Sequence, residues 1–197
     1  MAVWFILPLL LLVAVALLLM RRQRLRRTAP KLQARTLFTL TTGDIVQYEG
    51  RDWVVEDRLL YDDAGFQWLE YLLRDGDDGR WLSVCEDDWL EVGWLEDVPA
   101  GELQGLTGDF PPRLRCRGQL YTLKETGRAS VTTAARVMNR RLQGCRYGDY
   151  EGEDGRMLSL ERWDDGVDPG PPELSLGRRI DPAAPVLLPG DGHSVYR

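Results

Sequence analysis

Tryptophan and acidic side chains occur together along the middle of the chain, and they are the residue types most able to form a binding site. Carboxylates and the faces of aromatic rings both attract cations, so their combination predicts a surface that binds a small cation or a basic partner. Large aromatic side chains more often fill a core, and we expect most of the tryptophans to do so. The candidate ligand or partner surface consists of Trp68, Glu70, Trp81, Trp89 and Trp163.

A calcium loop is the nearest approach to a metal-binding motif. If Asp75 is the first ligand, Asp77 and Glu86 take the third and twelfth positions, but Arg80 stands where such a loop requires glycine. An acidic hairpin turn accounts for the same residues. Because the sequence also shows no nucleophile paired with a base and no phosphate-binding loop, we predict no catalytic residue, no cofactor and no metal.

The three cysteines, Cys85, Cys116 and Cys145, are scattered singly, and the one histidine, His193, lies in the tail. A structural zinc site needs four closely organised Cys or His ligands. We therefore expect reduced thiols that pack as small hydrophobic side chains.

Strands joined by tight turns must position the tryptophans. Residues 66–74 (FQWLEYLLR) are mostly apolar on both alternating faces, which is typical of a strand buried on both sides. Turn sequences rich in Asp and Gly flank this stretch at 62–65 and 75–79. The first half of the chain fits a meander of five strands.

The second half of the chain repeats the first. Residues 115–123 align with residues 47–55, and residues 153–160 align with residues 77–84. Two copies of a hairpin-rich unit predict an all-β fold, barrel- or sandwich-like. One N-terminal transmembrane helix, argued below, completes the predicted fold class. The expected organisation is a transmembrane helix at 1–20, a basic juxtamembrane linker at 21–40, a first β repeat at 41–100, a link at 101–112, a second β repeat at 113–189 and a flexible tail at 190–197.

An apolar run opens the chain, and a basic cluster follows it. About 20 apolar residues suffice for a helix to cross a bilayer, and the positive-inside rule places a basic flank in the cytoplasm. We therefore predict a single-pass protein of the cell membrane with its N-terminus outside and its C-terminal domain cytoplasmic. A cleaved export signal fits less well, because such signals carry their basic residues before the apolar run. The predicted contacts to anionic lipid headgroups are Arg21, Arg22, Arg24, Arg26 and Arg27.

Acidic residues dominate the rest of the chain. The sequence has 31 Asp and Glu against 25 Lys and Arg, and many of the basic residues lie before residue 36. Nucleic-acid binding needs clustered basic groups, so we predict no nucleic-acid partner.

Short motifs in both halves carry a family resemblance. They are 42–44 (TGD), 48–50 (YEG), 68–73 (WLEYLL), 81–84 (WLSV), 147–151 (YGDYE), 158–163 (LSLERW), 176–180 (LGRRI) and 187–189 (LLP). In this order they resemble a bacterial family known only as domain of unknown function four-one-seven-eight. The resemblance implies a β-rich fold, without established catalytic residues. Members are often encoded near small multi-span membrane proteins and a spermidine-synthase-like enzyme, which implies a membrane-associated system.

Together these features predict a membrane-anchored β domain that acts as a non-catalytic binding or scaffolding module, with membrane proteins of the same system as its partners. Two alternatives stay open. One is a sensor of a small cationic ligand such as a polyamine, and the other is a membrane-tethered enzyme of unknown chemistry.

Overall fold

The computed structural model of the chain describes residues 34–133, 143–164, 172–194 and 196. Within these ranges twelve strands form one antiparallel sheet, and Ala100–Glu102 and Glu153–Gly155 form short 3-10 helices. The strands are β1 (Ile45–Tyr48), β2 (Arg51–Asp63), β3 (Phe66–Asp75), β4 (Asp78–Glu86), β5 (Leu90–Asp97), β6 (Leu103–Gln104), β7 (Arg113–Cys116), β8 (Gln119–Thr133), β9 (Gln143–Glu151), β10 (Arg156–Asp164), β11 (Glu173–Ile180) and β12 (Val186–Leu188).

Eight of these strands close into a ring. The hydrogen-bonded neighbours run β2, β3, β4, β5, β11, β10, β9 and β8, and β8 then pairs with β2. β1 pairs with the first part of β2, and β7 pairs with the first part of β8. β12 and β6 add to β1 and β7. Because β8 returns to β2, the ring encloses an interior.

β2 and β8 hold equivalent places in the two repeats. Before each strand comes a two-residue turn with positive φ at both residues, Glu49-Gly50 and Arg117-Gly118, which matches the twist of hairpin strands. β2 then shifts in register against β3 after Val55, and β8 shifts against β9 after Leu123. An extra residue of this kind bends a strand. The bend lets each strand pair with its own repeat at one end and with the other repeat at the other end.

The hydrophobic residues separate into outer and inner clusters because side chains alternate along each strand. Tyr71 and Leu73 of β3 pack with Leu37 and Leu40 in an outer cluster of the first repeat. The second repeat has its own cluster, which includes Leu158. The third cluster combines both repeats: Leu59, Tyr61, Leu72, Trp81, Leu95, Ala129, Val131, Cys145 and Tyr147. The two repeats therefore share a core inside the ring.

Asp44 ties residues from both ends of the described chain to the ring. Its side chain is fully buried, and it accepts hydrogen bonds from the backbone N–H of Thr41 at 2.7 Å and of Gly190 at 2.8 Å. Arg35 Nε lies 2.7 Å from Asp44 Oδ2. Position 190 requires glycine, because a Cβ there would lie 1.7 Å from the carbonyl oxygen of Gly43.

The predicted fold class is wrong in its N-terminal transmembrane helix, and the predicted single-pass localisation is corrected on the same finding. In the part of the chain that the structure describes, neither helix is long and apolar enough to cross a membrane. Hydropathy gives the length of an apolar run, whereas a span also requires a regular helix of that length. The run at 1–20 and the five arginines after it lie outside the described residues.

Candidate functional site

The ring encloses a cavity of about 400 Å³. This volume lies toward the small end of the range for ligand pockets, so it suits a small ligand. Alternate residues of the strands line it, and they are mainly carboxylates, serines and aromatic rings. The wall includes Trp68, Glu70, Ser83, Tyr147, Asp149, Ser159, Glu161 and Ser175.

Three carboxyl groups, those of Glu70, Asp149 and Glu161, come together in this cavity from β3, β9 and β10. Desolvation inside the ring raises the pKa of Glu70 from 4.5 to about 7, and the charge of Asp149 acts in the same direction. Desolvation also raises the pKa of Asp149 to about 6 and raises the pKa of Glu161, to which the charge of Glu70 adds. A cation among these groups would favour their ionised forms.

Hydroxyl groups fix the carboxyl groups in place. The hydroxyl of Tyr61 lies 3.3 Å from Glu70 Oε2 and also makes a side-chain hydrogen bond with Glu161. The hydroxyl of Ser159 donates to Asp149 Oδ1 at 2.9 Å. Because these donors project from strands of the ring, the carboxyl groups are held in a fixed arrangement before any ligand arrives.

Aromatic rings pack beside the carboxyl groups. The rings of Tyr61 and Trp68 stack with their centroids 4.8 Å apart, and Tyr147 meets Trp68 edge-on at 5.1 Å. The ring of Trp163 lies 6.2 Å from that of Tyr61. These are ordinary geometries of packed aromatic pairs. Trp68 and Tyr147 therefore form an aromatic wall of the cavity, and Tyr61 packs against Trp68.

One end of the cavity carries Trp89, whose side chain is 70% exposed; we call it the Trp89 end. Two basic side chains also line the cavity there, and both are paired with carboxylates. Lys124 Nζ lies 2.7 Å from Glu151 Oε2, and an Arg179 nitrogen lies 2.7 Å from Glu91 Oε2. Trp89 is therefore a lining residue that solvent reaches directly.

A smaller pocket shares Glu70, Trp81, Glu161 and Ser175 with the cavity. Trp163 lines it, and the indole N–H of Trp163 donates to Glu173 Oε2 at 3.1 Å. Asp97 adds a further carboxylate. None of the described residues that line this pocket is Lys or Arg, so its lining is acidic.

Comparison with known proteins assigns the family. The family model called Domain of unknown function (DUF4178) matches residues 41–182. The chain belongs to the DUF4178 family. The match covers both repeats and all strands of the ring, which confirms the resemblance that the sequence motifs indicated.

Relatives of this DUF4178 chain are uncharacterized proteins. One from Aquifex aeolicus (strain VF5) is 27% identical over 133 residues, which is 64% of this chain and 71% of the relative. One from Mycobacterium tuberculosis (strain ATCC 25618 / H37Rv) is 31% identical over 133 residues, 63% of this chain and 61% of the relative. The chain thus spans less than two-thirds of the mycobacterial protein. No solved structure matches the chain.

The structure brings together four of the five residues predicted to form a binding surface. They line a cavity inside the ring instead of an outer surface. Trp68, Glu70, Trp81 and Trp89 all line the same cavity. Trp163 lines the smaller pocket, and Glu70 and Trp81 line both. Of these five residues, Trp89 is mostly exposed, Trp81 is 9% exposed, and the other three are half-buried.

Sequence reasoning missed the residues that the second repeat brings to the cavity. Asp149 and Glu161 lie within motifs of this DUF4178 chain that carried the family resemblance, and Tyr61 and Tyr147 complete their surroundings. Alternation gave a usable signal: Tyr147 and Asp149 are two residues apart on β9, as are Ser159 and Glu161 on β10, so each pair shares a face.

The described residues provide neither a metal-binding group nor a reactive thiol. Among them, no group of three or more His, Cys, Asp or Glu is arranged to hold a metal ion. The three cysteines are free, and Cys116 and Cys145 are buried. Cys85 lines the cavity, where burial raises the pKa of its thiol to about 11, so the unreactive thiol form prevails at neutral pH.

Proposed function

We propose that this DUF4178 domain is a non-catalytic binding module that takes a small organic cation, an amine, into the ring. The observation that carries this proposal is the cavity of about 400 Å³ into which Glu70, Asp149 and Glu161 project. Buried carboxylates are stable when an opposite charge pairs with them. An amine of this size supplies that charge, and its alkyl part suits the aromatic wall.

A polyamine such as spermidine is a suitable probe, because it carries several ammonium groups on a narrow chain. Tryptophan fluorescence of the full-length chain reports on binding, since Trp68 and Trp81 line the cavity. We expect a saturable change at micromolar to millimolar spermidine, weaker at high salt because exposed charges at the Trp89 end are screened.

Two variants make the titration specific to the cavity. Glu70→Gln removes one carboxylate of the site and should weaken binding at least tenfold. Glu153→Gln is the control, because Glu153 is exposed and lies in the turn before β10, and its affinity should equal that of the native chain. No response to spermidine at millimolar concentration, or equal losses in both variants, contradicts the proposal.

Acid–base catalysis is the second candidate, favoured by one specific observation. Glu70 has a pKa of about 7, and carboxyl groups with raised pKa values in a cleft occur in many active sites. Turnover of an amine by the purified chain, lost in Glu70→Gln, would favour this candidate over simple binding. The expected partnership with membrane proteins stays a prediction.

A further inference from the structure

We propose that the cavity selects amines that carry N–H groups and discriminates against quaternary ammonium ions, with Glu70 and Glu161 as the residues that make this distinction and Tyr61 as the residue that positions them. The inference rests on the proposed function and names the class of cation that it takes.

The packing of the rings beside Glu70 and Glu161 argues against an aromatic cage at these carboxyl groups. A cage for a quaternary ammonium ion holds the cation against open ring faces. Here Tyr61 and Trp68 stack at 4.8 Å with 15° between their planes, so each covers a face of the other. The rings of Tyr147 and Trp68 meet at a steep angle, with their centroids 5.1 Å apart. The ring of Trp68 is therefore packed against two other rings instead of being open to a ligand on both faces.

The polar groups of the cavity offer acceptors in a small space. Glu70 and Glu161 share the hydroxyl of Tyr61, which lies 3.3 Å from Glu70 Oε2. Ser159 supports Asp149 at 2.9 Å. A protonated primary amine has three N–H donors, which can be distributed among these carboxylates.

A quaternary ion brings charge but no donor. Carboxylates placed in a desolvated site lose the hydrogen bonds of water, and a partner without N–H groups leaves that loss in place. Hydrogen bonds between ionised groups are about twice as strong as those between neutral groups. The donors therefore contribute most where the carboxylates of the cavity are half-buried and partly shielded from water.

Two isomeric ions test the inference directly. n-Butylammonium and tetramethylammonium have the same formula and the same charge, but the first has three N–H donors and the second has none. Titrations of the full-length chain at pH 8, followed by tryptophan fluorescence, should show n-butylammonium binding at least tenfold more tightly. Diethylammonium, a third isomer with two N–H donors, should fall between them.

The variants locate the effect. Tyr61→Phe and Glu161→Gln should each reduce the preference for n-butylammonium, and Tyr61→Phe does so without changing the charge of the site. The control Glu153→Gln should retain the full preference. A reduced preference in Tyr61→Phe with tetramethylammonium affinity unchanged is the expected pattern, whereas Glu161→Gln should weaken n-butylammonium more than tetramethylammonium.

Each other result has a separate meaning. Equal binding of the isomers, or tighter binding of tetramethylammonium, overturns the inference and leaves cation binding intact. Binding of neither ion also overturns it, and the spermidine titration then decides independently whether the proposed function stands. A preference that survives unchanged in both site variants overturns the assignment to Tyr61 and Glu161.

Discussion

The ligand-free ring should lose stability as the pH rises from about 5 to 8, and Glu70 should account for part of this loss. Its pKa is about 7 in the folded chain against 4.5 for an ordinary glutamate. Between these two values the unfolded chain has ionised Glu70 while the folded chain still holds the proton. Unfolding therefore releases a proton, and the free energy of unfolding falls as the pH rises through this range.

The size of the effect follows from the two pKa values. A change from 4.5 to about 7 corresponds to about 3 kcal/mol at 1.36 kcal/mol per pH unit. Solvent in the cavity screens the charge, so we expect about 2 kcal/mol in practice. Asp149, whose pKa is raised to about 6, acts in the same direction. Asp62 and Glu151 have lowered pKa values, so they change the free energy of unfolding only in acid, below this pH range.

Glu70→Gln isolates the contribution, because glutamine has a similar shape and does not titrate. Urea unfolding of the full-length chain at pH 5, 6, 7 and 8 should show a decline in the native chain that is shallower in this variant. At pH 8 the variant should be the more stable of the two. Glu153→Gln should follow the native chain at every pH. A native stability that is flat or rises from pH 5 to 8, or an unchanged slope in Glu70→Gln, would show that Glu70 does not hold a proton in the folded chain in this range.

Three further predictions concern packing, the buried ion pair and the thiols. Gly177→Ala should destabilise the ring by about 3 kcal/mol or more in urea unfolding, because its Cβ would lie 1.9 Å from the carbonyl oxygen of Trp94. Gly79→Ala is the control and should change stability little in the same assay, because a Cβ there would meet open space. Asp44→Ala should cost about 3 kcal/mol by urea unfolding, because it removes one partner of a buried ion pair; a loss below 1 kcal/mol would contradict this role. Of the three thiols, Cys85 should react first with iodoacetamide at pH 8, since the other two are buried. Spermidine should slow this reaction because Cys85 lines the cavity. Mass spectrometry of the modified peptides measures both the order and the rate of reaction.

The strands of the first repeat could be predicted because their signals are local. The stretch 66–74 alternates between two apolar faces, and the structure places β3 at Phe66–Asp75 with one face outward and the other toward the cavity. Asp and Gly mark the turns on either side. Alternation and turn chemistry act over a few residues, so a single sequence reveals them.

The closure of the ring could not be predicted, because it depends on pairs far apart in sequence. Ser130 pairs with Asp62, 68 residues before it, where β8 meets β2. The repeat indicated two equivalent units but gave no sign of which edges join. This closure turned a predicted binding surface into an interior, and it placed Asp149 and Glu161 of the second repeat beside Glu70 of the first.

The anchor prediction failed for a different reason. It rested on one apolar run and its basic flank, a composition signal that carries no information about the fold that follows. At 34–40, within the segment expected as a linker, Leu37 and Leu40 are instead buried in the outer cluster of the first repeat. Burial of this kind depends on the finished sheet, which a local pattern does not reveal.

The most direct test of the central claim is a crystal structure of the full-length chain grown with 1,4-diaminobutane. We expect the diamine inside the ring, with an ammonium nitrogen about 2.8 Å from carboxylate oxygens of Glu70 and Glu161. The same crystals of Glu70→Gln should show weaker occupancy of this position. Water alone in the cavity at saturating diamine, or a diamine bound only at the outer surface, would contradict the claim that the ring is a site for amines.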